Sequence, residues 1–155
     1  MSGRIENRLI NQNILLPKAT KTVANYVPFT KSGNSIYISG QITLLDGDLM
    51  YKGKVGDDIS TDQGYQAARI CGLNLLTQLK LACQGDLDRV TRVIKLGGFV
   101  NCTPEFVEHP KVINGASDLM VSVFGDAGRH SRFAVGVTSL PMGVAVEIDG
   151  LFEIN

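Results

Sequence analysis

Charged side chains interrupt a largely apolar stretch near the carboxyl end of the sequence, between residues 129 and 155. Arg132 and Glu147 stand there among mostly apolar or small residues. A charge is costly to remove from water unless it is paired, solvated in a cleft or used on a ligand. A guanidinium can hold a carboxylate through two parallel hydrogen bonds, and a carboxylate can orient a water molecule and take its proton. Arg132 and Glu147 are therefore the candidate functional residues of this stretch.

Each of these residues also has an ordinary structural explanation. Arg132 could form a structural ion pair between subunits. Glu147 lies on an alternating strand, where an outward carboxylate is usually only solvated, and Asp149 and Glu153 share its parity. The choice of Glu147 therefore depends on its spacing from the preceding Leu140-Pro141 pair.

The elements that position these residues follow from hydrophobic periodicity and turn residues. Residues 129–155 predict two strands joined by a Pro/Gly turn, as in a hairpin. The capping-box pair Ser60 and Gln63 predicts a helix over residues 60–84, and a second helix is predicted from Pro110 to the residue before Gly125. Further strands are predicted over residues 26–30, 35–39 and 90–101, and residues 1–20 are expected to be irregular.

This order of elements predicts an α+β fold with two helices packed on one face of a mixed sheet. The other face then has no helical cover. The strand over residues 133–138 is apolar or small on both faces, which is typical of strands buried on both sides. We expect copies of the chain to cover each other's open face in a closed homo-oligomer.

The composition limits the other possibilities. The 155 residues, 44% of them hydrophobic, suit a single domain over residues 1–155. Fifteen basic and fifteen acidic side chains cancel, which disfavours binding to nucleic acid or to an anionic membrane. No apolar run approaches the roughly 18 residues of a membrane span. Three cysteines without CxxC spacing predict neither a disulfide framework nor a zinc site, so a reducing cytoplasm is the expected location.

The sequence resembles the RidA/YjgF family of reactive-intermediate deaminases from about residue 24 to residue 154. The most specific series is Arg132 followed by Leu140-Pro141 and Val146-Glu147-Ile148. Weaker matching segments stand in the same order: Tyr26-Val27, Gly33-Asn34, Ile38–Gln41 and Phe99-Val100. The resemblance implies a chorismate-mutase-like fold and homotrimers with small-molecule sites between subunits.

The resemblance also implies a chemistry. Family members hydrolyse enamines and imines such as 2-aminoacrylate to 2-keto acids and ammonia, without a metal or an organic cofactor. The implied activity is that of a 2-iminobutanoate/2-iminopropanoate deaminase-like hydrolase with a small carboxylate or imino-acid metabolite as ligand. Matched residue by residue, Arg132 is the carboxylate-binding arginine and Glu147 the water-positioning glutamate. Tyr26 is the tyrosine that closes the site, and Ser39 and Gly40 form its backbone wall.

The sequence departs from the family pattern around this site. Ala134 stands where the family has a cysteine, Asn25 replaces a proline, and Thr103-Pro104 occupy the place of a frequent asparagine. The segment 125–130 is unlike the best-known members.

His130 ends that segment, two residues before Arg132. Its side chain could titrate near neutral pH, so we treat it as a candidate for substrate specificity. The ordinary alternative is a histidine that caps or solvates a turn.

Three functions are compatible with these observations. The first is imine or enamine deamination. The second is a small-metabolite binding or regulatory trimer that keeps Arg132 as an anchor but has lost the chemistry, which Ala134 and the altered loops suggest. The third is RNA cleavage, after the family's older label of endoribonuclease and translation inhibitor. Zero net charge and the lack of a basic stripe interleaved with aromatic residues make nucleic acid the least favoured partner.

Overall fold

The computed structural model describes residues 3–155. Three α-helices and seven strands follow one another in the described chain. In order they are α1 (Arg4–Asn11), β1 (Phe29–Ser32), β2 (Ser35–Gln41), β3 (Leu44–Leu45), β4 (Asp48–Leu49), α2 (Thr61–Ala82), β5 (Val90–Asn101), α3 (His109–Phe124), β6 (Ser131–Val137) and β7 (Val146–Ile154). The architecture is the predicted mixed α+β arrangement.

Five strands form the main sheet in the order β1-β2-β7-β5-β6. The β5–β6 pair is parallel and the other pairs are antiparallel. A parallel pair needs a crossover connection, and α3 supplies it between β5 and β6. The strands β3 and β4 form a separate small hairpin after β2.

The predicted hairpin within residues 129–155 is wrong, because β5 lies between β6 and β7. Buried Asn101, at the end of β5, shows the physical reason. Its side-chain amide donates to the carbonyls of Gly53 and Val144 at 3.2 and 3.1 Å, and its backbone N–H donates to Ala145 at 2.9 Å. These bonds hold the chain that leads into β7 beside β5. The alternation of apolar residues predicted these two strands correctly, but it did not predict which strands lie beside them in the sheet.

The two long helices, α2 and α3, cover one face of the sheet. The capping box at Ser60 and Gln63 is present, and Gly125 ends α3 with a φ of 64°. Their buried apolar side chains meet Ile36, Val146 and Ile148 of the sheet in one continuous core. No helix within residues 3–155 combines the length and apolar character that a bilayer span requires.

Within residues 3–155 no helix covers the other face of the sheet, as expected. A Cβ added to Gly97 would meet the side chains of Phe133 and Asp149, so these three positions share that face. Phe99 packs edge-on against Phe133, with ring centroids 5.2 Å apart. Val135 is 43% exposed. We call this side of the sheet the open face.

Two predicted boundaries near the amino end need correction. Residues 1–20 were expected to be irregular, but α1 forms within them and buries Ile5 and Leu9, four residues apart. The Asp88 carboxylate accepts the backbone N–H groups of Arg4 and Ile5, each at 2.7 Å, so a partner distant in sequence stabilises the start of this short helix.

The first strand is also shorter than predicted. It begins at Phe29, so Tyr26 and Val27 lie before it, both exposed. Tyr26 is therefore not a half-buried aromatic of the sheet.

Close packing of α2 on α3 generates a stability prediction. A Cβ on Gly115 would lie 2.0 Å from the backbone oxygen of Tyr65, whereas one on Gly72 would meet the Leu119 side chain at 3.0 Å. We expect Gly115→Ala to lower the free energy of unfolding by about 1–3 kcal/mol, because backbone must move. Gly72→Ala should lower it less, since a side chain can rotate and alanine gains about 1 kcal/mol of helix propensity. Urea unfolding measures both, and equal losses would contradict this account.

Candidate functional site

A cavity of about 350 Å³ lies where β2 ends, and four of the predicted site residues line it. These are Tyr26, Ser39, Gly40 and Glu147. The β2–β7 register shifts between Ile38 and Gln41, so the chain bulges at this point. The bulge separates the two strands locally and leaves room for a ligand.

Gly40 lets the Glu147 carboxylate approach the backbone closely. A Cβ at position 40 would lie 2.3 Å from Glu147 Oε1, so a larger residue would displace the carboxylate. The Ser39 hydroxyl donates to the carbonyl of Val27 at 2.8 Å, which ties the segment carrying Tyr26 to the end of β2. Tyr26 itself is 56% exposed and forms the rim.

Glu147 is the only acidic side chain that lines this cavity among residues 3–155. Burial raises its pKa, and the neighbouring charge of Asp149 raises it further. Glu147 also borders a depression on the open face, lined with Gly40, Phe99, Leu140 and Asp149. Its carboxylate therefore stands between the cavity and the surface that this chain leaves uncovered.

Arg132 and His130 lie elsewhere, against α3. Arg132 Nη1 donates to Ser117 Oγ at 2.9 Å, and Nη2 donates to the carbonyl of Pro110 at 3.3 Å. Both partners are neutral, so the guanidinium charge is not neutralised by these two bonds.

Ser117 joins Arg132 to His130 in one hydrogen-bonded chain. His130 Nε2 is 2.9 Å from Ser117 Oγ, and Nδ1 is 2.6 Å from the carbonyl oxygen of Gly128. A carbonyl only accepts, so Nδ1 carries a proton, and Nε2 can then accept the Ser117 hydroxyl proton when the ring is neutral. Burial lowers the pKa of His130, the Gly128 hydrogen bond opposes that shift, and the Arg132 charge adds to it. The ring is thus held in the neutral form.

Arg132 and Glu147 occupy opposite faces of the sheet. Phe133 and Asp149 both point to the open face, so Glu147, two residues from Asp149, shares that face and Arg132, next to Phe133, does not. One small ligand cannot contact both side chains of a single chain. The structure therefore brings Tyr26, Ser39, Gly40 and Glu147 together and leaves Arg132 and His130 apart from them.

The sequence analysis missed two residues that form the inner wall of the cavity, Asn74 and Gln78 of α2. Asn74 Nδ2 donates to the carbonyls of Ile42 and Leu44 at 3.0 and 2.8 Å. Gln78 is 2% exposed. Two carboxamides four residues apart in a mostly apolar helix were the signal that could have revealed them.

The described chain offers no obvious place for a metal ion. No group of three or more His, Cys, Asp or Glu side chains within residues 3–155 is arranged to hold one. The three cysteines are free and buried.

Comparison with known proteins places the chain in a family. Residues 6–151 match the family described as "YjgF/chorismate mutase-like, putative endoribonuclease". The chain belongs to the YjgF/RidA family. The resemblance inferred from the sequence is confirmed, and the mixed sheet with its helices matches the fold of that family.

Three members of the YjgF/RidA family illustrate its range. Protein TCP17 from Trypanosoma cruzi is 46% identical over 155 residues, covering 99% of this chain and 96% of the relative. Atu1372 from Agrobacterium tumefaciens, a protein of unknown function, is 50% identical with a TM-score of 0.91 over 97% of this chain and 92% of that one. A protein from Shewanella oneidensis MR-1 with the family's endoribonuclease description is 36% identical, with a TM-score of 0.94 over 98% of this chain and 100% of that one.

The neutral state of His130 predicts a pH-dependent stability. A lowered pKa means that the unfolded chain binds this proton more readily, so the stabilising contribution is present above the unfolded pKa of about 6.5 and is lost as pH falls below it. We expect the melting temperature of the parent to fall more than that of His130→Gln between about pH 7.5 and pH 5.5. Arg129→Gln, which removes an exposed charge one residue before His130, is the control and should follow the parent. Parallel curves for parent and His130→Gln would contradict the buried neutral ring.

Proposed function

We propose that this chain hydrolyses small imines or enamines derived from amino acids to 2-keto acids and ammonia, at a site that two copies form together. The observation that carries the proposal is the Glu147 carboxylate, partly buried in a cavity against the backbone of Gly40. Its raised pKa suits a group that must both accept and return a proton. Membership of the YjgF/RidA family supports the same chemistry.

The reaction needs one water molecule and one proton shuttle. Glu147 takes a proton from the water as its oxygen attacks the carbon of the C=N bond, and the carboxyl group delivers this proton to the nitrogen, which gives a carbinolamine. Glu147 then takes the proton of the carbinolamine hydroxyl group and passes it to the nitrogen, so the C–N bond breaks and ammonia leaves as the C=O bond of the 2-keto acid forms. Proton transfers of this kind contribute about 10²–10⁴-fold to rate.

The substrate carboxylate would be held by Arg132 of a second copy. Arg132 and Glu147 lie on opposite faces of one chain, so only two chains can supply both to one ligand. The uncovered apolar side chains Phe99, Phe133 and Val135 offer the surface on which such copies could associate, as in the homotrimer expected from the sequence. Ser117 and His130 would orient the guanidinium, and Tyr26, Ser39 and Gly40 would enclose the reacting atoms.

The two other functions have less support. A binder without chemistry explains the cavity but not the position of a carboxylate with a raised pKa inside it. Cleavage of RNA suits the family's endoribonuclease description, but equal numbers of acidic and basic residues provide no overall attraction to a polyanion. Both remain measurable alternatives to deamination.

Replacement of Glu147 by glutamine tests the catalytic assignment. Glutamine keeps the size of the side chain but cannot accept the proton, so turnover of 2-aminoacrylate or 2-iminobutyrate should fall by about 10²–10⁴-fold. Glu153→Gln, on the same strand and with the same parity, is the matched control and should retain activity. The measurement is ammonia release above buffer. Equal rates in parent and Glu147→Gln would remove Glu147 from the chemistry, and a parent rate equal to buffer would favour the binder.

Mixed assembly tests the shared site. Arg132→Ala and Glu147→Gln should each be nearly inactive alone, because each lacks one half of every site. When the two chains are refolded together in equal amounts, random pairing should give about one quarter of the interfaces both native side chains, and activity should return to about that fraction. Mixing the chains without refolding is the control. No recovery after co-assembly would show that the site does not combine Arg132 and Glu147 from different copies.

A further inference from the structure

One polar atom in the wall of the Glu147 cavity lacks a hydrogen-bond partner. Oε1 of Gln78 is buried and accepts no hydrogen bond from residues 3–155, although the side chain is only 2% exposed. A buried acceptor without a partner destabilises the folded protein, so such groups are normally paired. Leucine at this position would avoid that cost, and Leu75, Leu76 and Leu79 are the residues around it in α2. A hydrogen-bond donor from outside this chain is therefore the natural explanation of the buried, unpaired Gln78 acceptor.

Asn74, the other carboxamide in the cavity wall, is bonded within the protein itself, so the structure of the wall does not require a carboxamide without a partner. Both donors of its amide group are used on the carbonyls of Ile42 and Leu44, which shape the chain after β2. Gln78, one helical turn further along α2, lines the same cavity, but its Oε1 holds no such segment. The two carboxamides thus differ, because Asn74 braces the chain after β2 whereas Gln78 lines the cavity with an unused acceptor.

The cavity connects Gln78 with Glu147. Exposed Tyr26 and Met142 form its outer side, the buried residues Asn74 and Gln78 form its inner side, and Glu147 lines it as well. About 350 Å³ leaves room for a molecule larger than a two- or three-carbon imine. A substrate that places its reacting carbon near Glu147 could extend its side chain towards α2.

We propose that the inner wall of this cavity is a side-chain subsite, in which Gln78 accepts a hydrogen bond from a neutral carboxamide or hydroxyl group of the substrate. The proposal rests on the deaminase function and specifies its substrates as imines of amino acids with polar, uncharged side chains. Gln78 offers an acceptor and a donor, so a substrate carboxamide can match both. Glu147, the only acidic side chain among the described residues that line the cavity, serves the reacting carbon in the proposed reaction, so an ammonium group beside Gln78 would lose its hydration without a counter-charge of its own.

The experiment compares two substrates of similar length. An L-amino-acid oxidase with catalase generates the imines of glutamine and of methionine, and enzyme-dependent loss of semicarbazone formation gives kcat/KM for each. We expect the parent to prefer the glutamine imine by about tenfold, because the methionine side chain leaves Gln78 unpaired. Gln78→Met should abolish or reverse the preference. Gln66→Met, an exposed position on the same helix, is the matched control and should keep it.

A binding measurement separates this subsite from the proposed reaction. Calorimetry with L-glutamine and L-methionine uses the same side chains on molecules that cannot be hydrolysed, and the parent should bind glutamine about tenfold more tightly. Hydrolysis of both imines with equal kcat/KM, unchanged by Gln78→Met, would overturn the subsite while the deaminase stands. Preferential binding of glutamine that Gln78→Met removes, with no imine hydrolysed above buffer, would support the subsite and reject the deaminase. Circular dichroism of Gln78→Met verifies the fold, and Gln78→Leu provides a second apolar replacement.

Discussion

The alternation of side chains along β-strands is the constraint on which the functional arrangement depends. Successive residues of a strand point to opposite faces of a sheet, so the parity of a residue decides whether it meets the helices or the open face. Phe133 on β6 and Asp149 on β7 meet across Gly97 on the open face. Glu147 lies on the same open face as these residues, and Arg132 lies on the opposite face, which the helices cover. This geometry makes a second copy of the chain a chemical requirement of the proposed site as well as a way to cover apolar surface.

The buried polar side chains differ in whether the fold itself supplies their hydrogen-bond partners. Asn101 and Asn74 each donate to two backbone carbonyls, and thereby fix the path into β7 and the shape of the chain after β2. Thr43 donates to the carbonyl of Met50 in the same region. Because buried polar groups are normally paired, the free acceptor of Gln78 is conspicuous against these satisfied neighbours. The same cavity therefore combines a rigid frame with one unused acceptor and one acid–base group.

The electrostatic surroundings of Glu147 and of Arg132, the two halves of the proposed site, are different. Around Glu147, burial and Asp149 favour the protonated carboxyl group, so the group can hold a proton at a pH where an exposed glutamate has lost it. Around Arg132, a hydroxyl and a carbonyl orient the guanidinium, and His130 is kept neutral. In the proposed site, Arg132 would offer an unpaired positive charge to the substrate carboxylate and Glu147 would exchange protons.

The sequence alone determined the elements and the family. Periodicity and capping residues located α2, α3 and β5, with β5 at its observed bounds, because these signals are local to each element. The motif spacing around Arg132 and Glu147 identified the YjgF/RidA family, which the comparisons confirm. The resemblance to that family implied the grouping of Tyr26, Ser39 and Gly40 with Glu147, and these four residues line one cavity.

Only the tertiary structure decided which elements and side chains meet. The insertion of β5 between β6 and β7 depends on Asn101, and α1 depends on Asp88, so both involve partners far apart in the sequence. Strand alternation cannot choose a neighbouring strand, and a helix of eight residues is too short to be predicted from its own residues. The separation of Arg132 from Glu147 and the free carboxamide of Gln78 likewise appear only when the sheet and α2 are assembled, because burial and hydrogen-bond satisfaction are properties of packed neighbours.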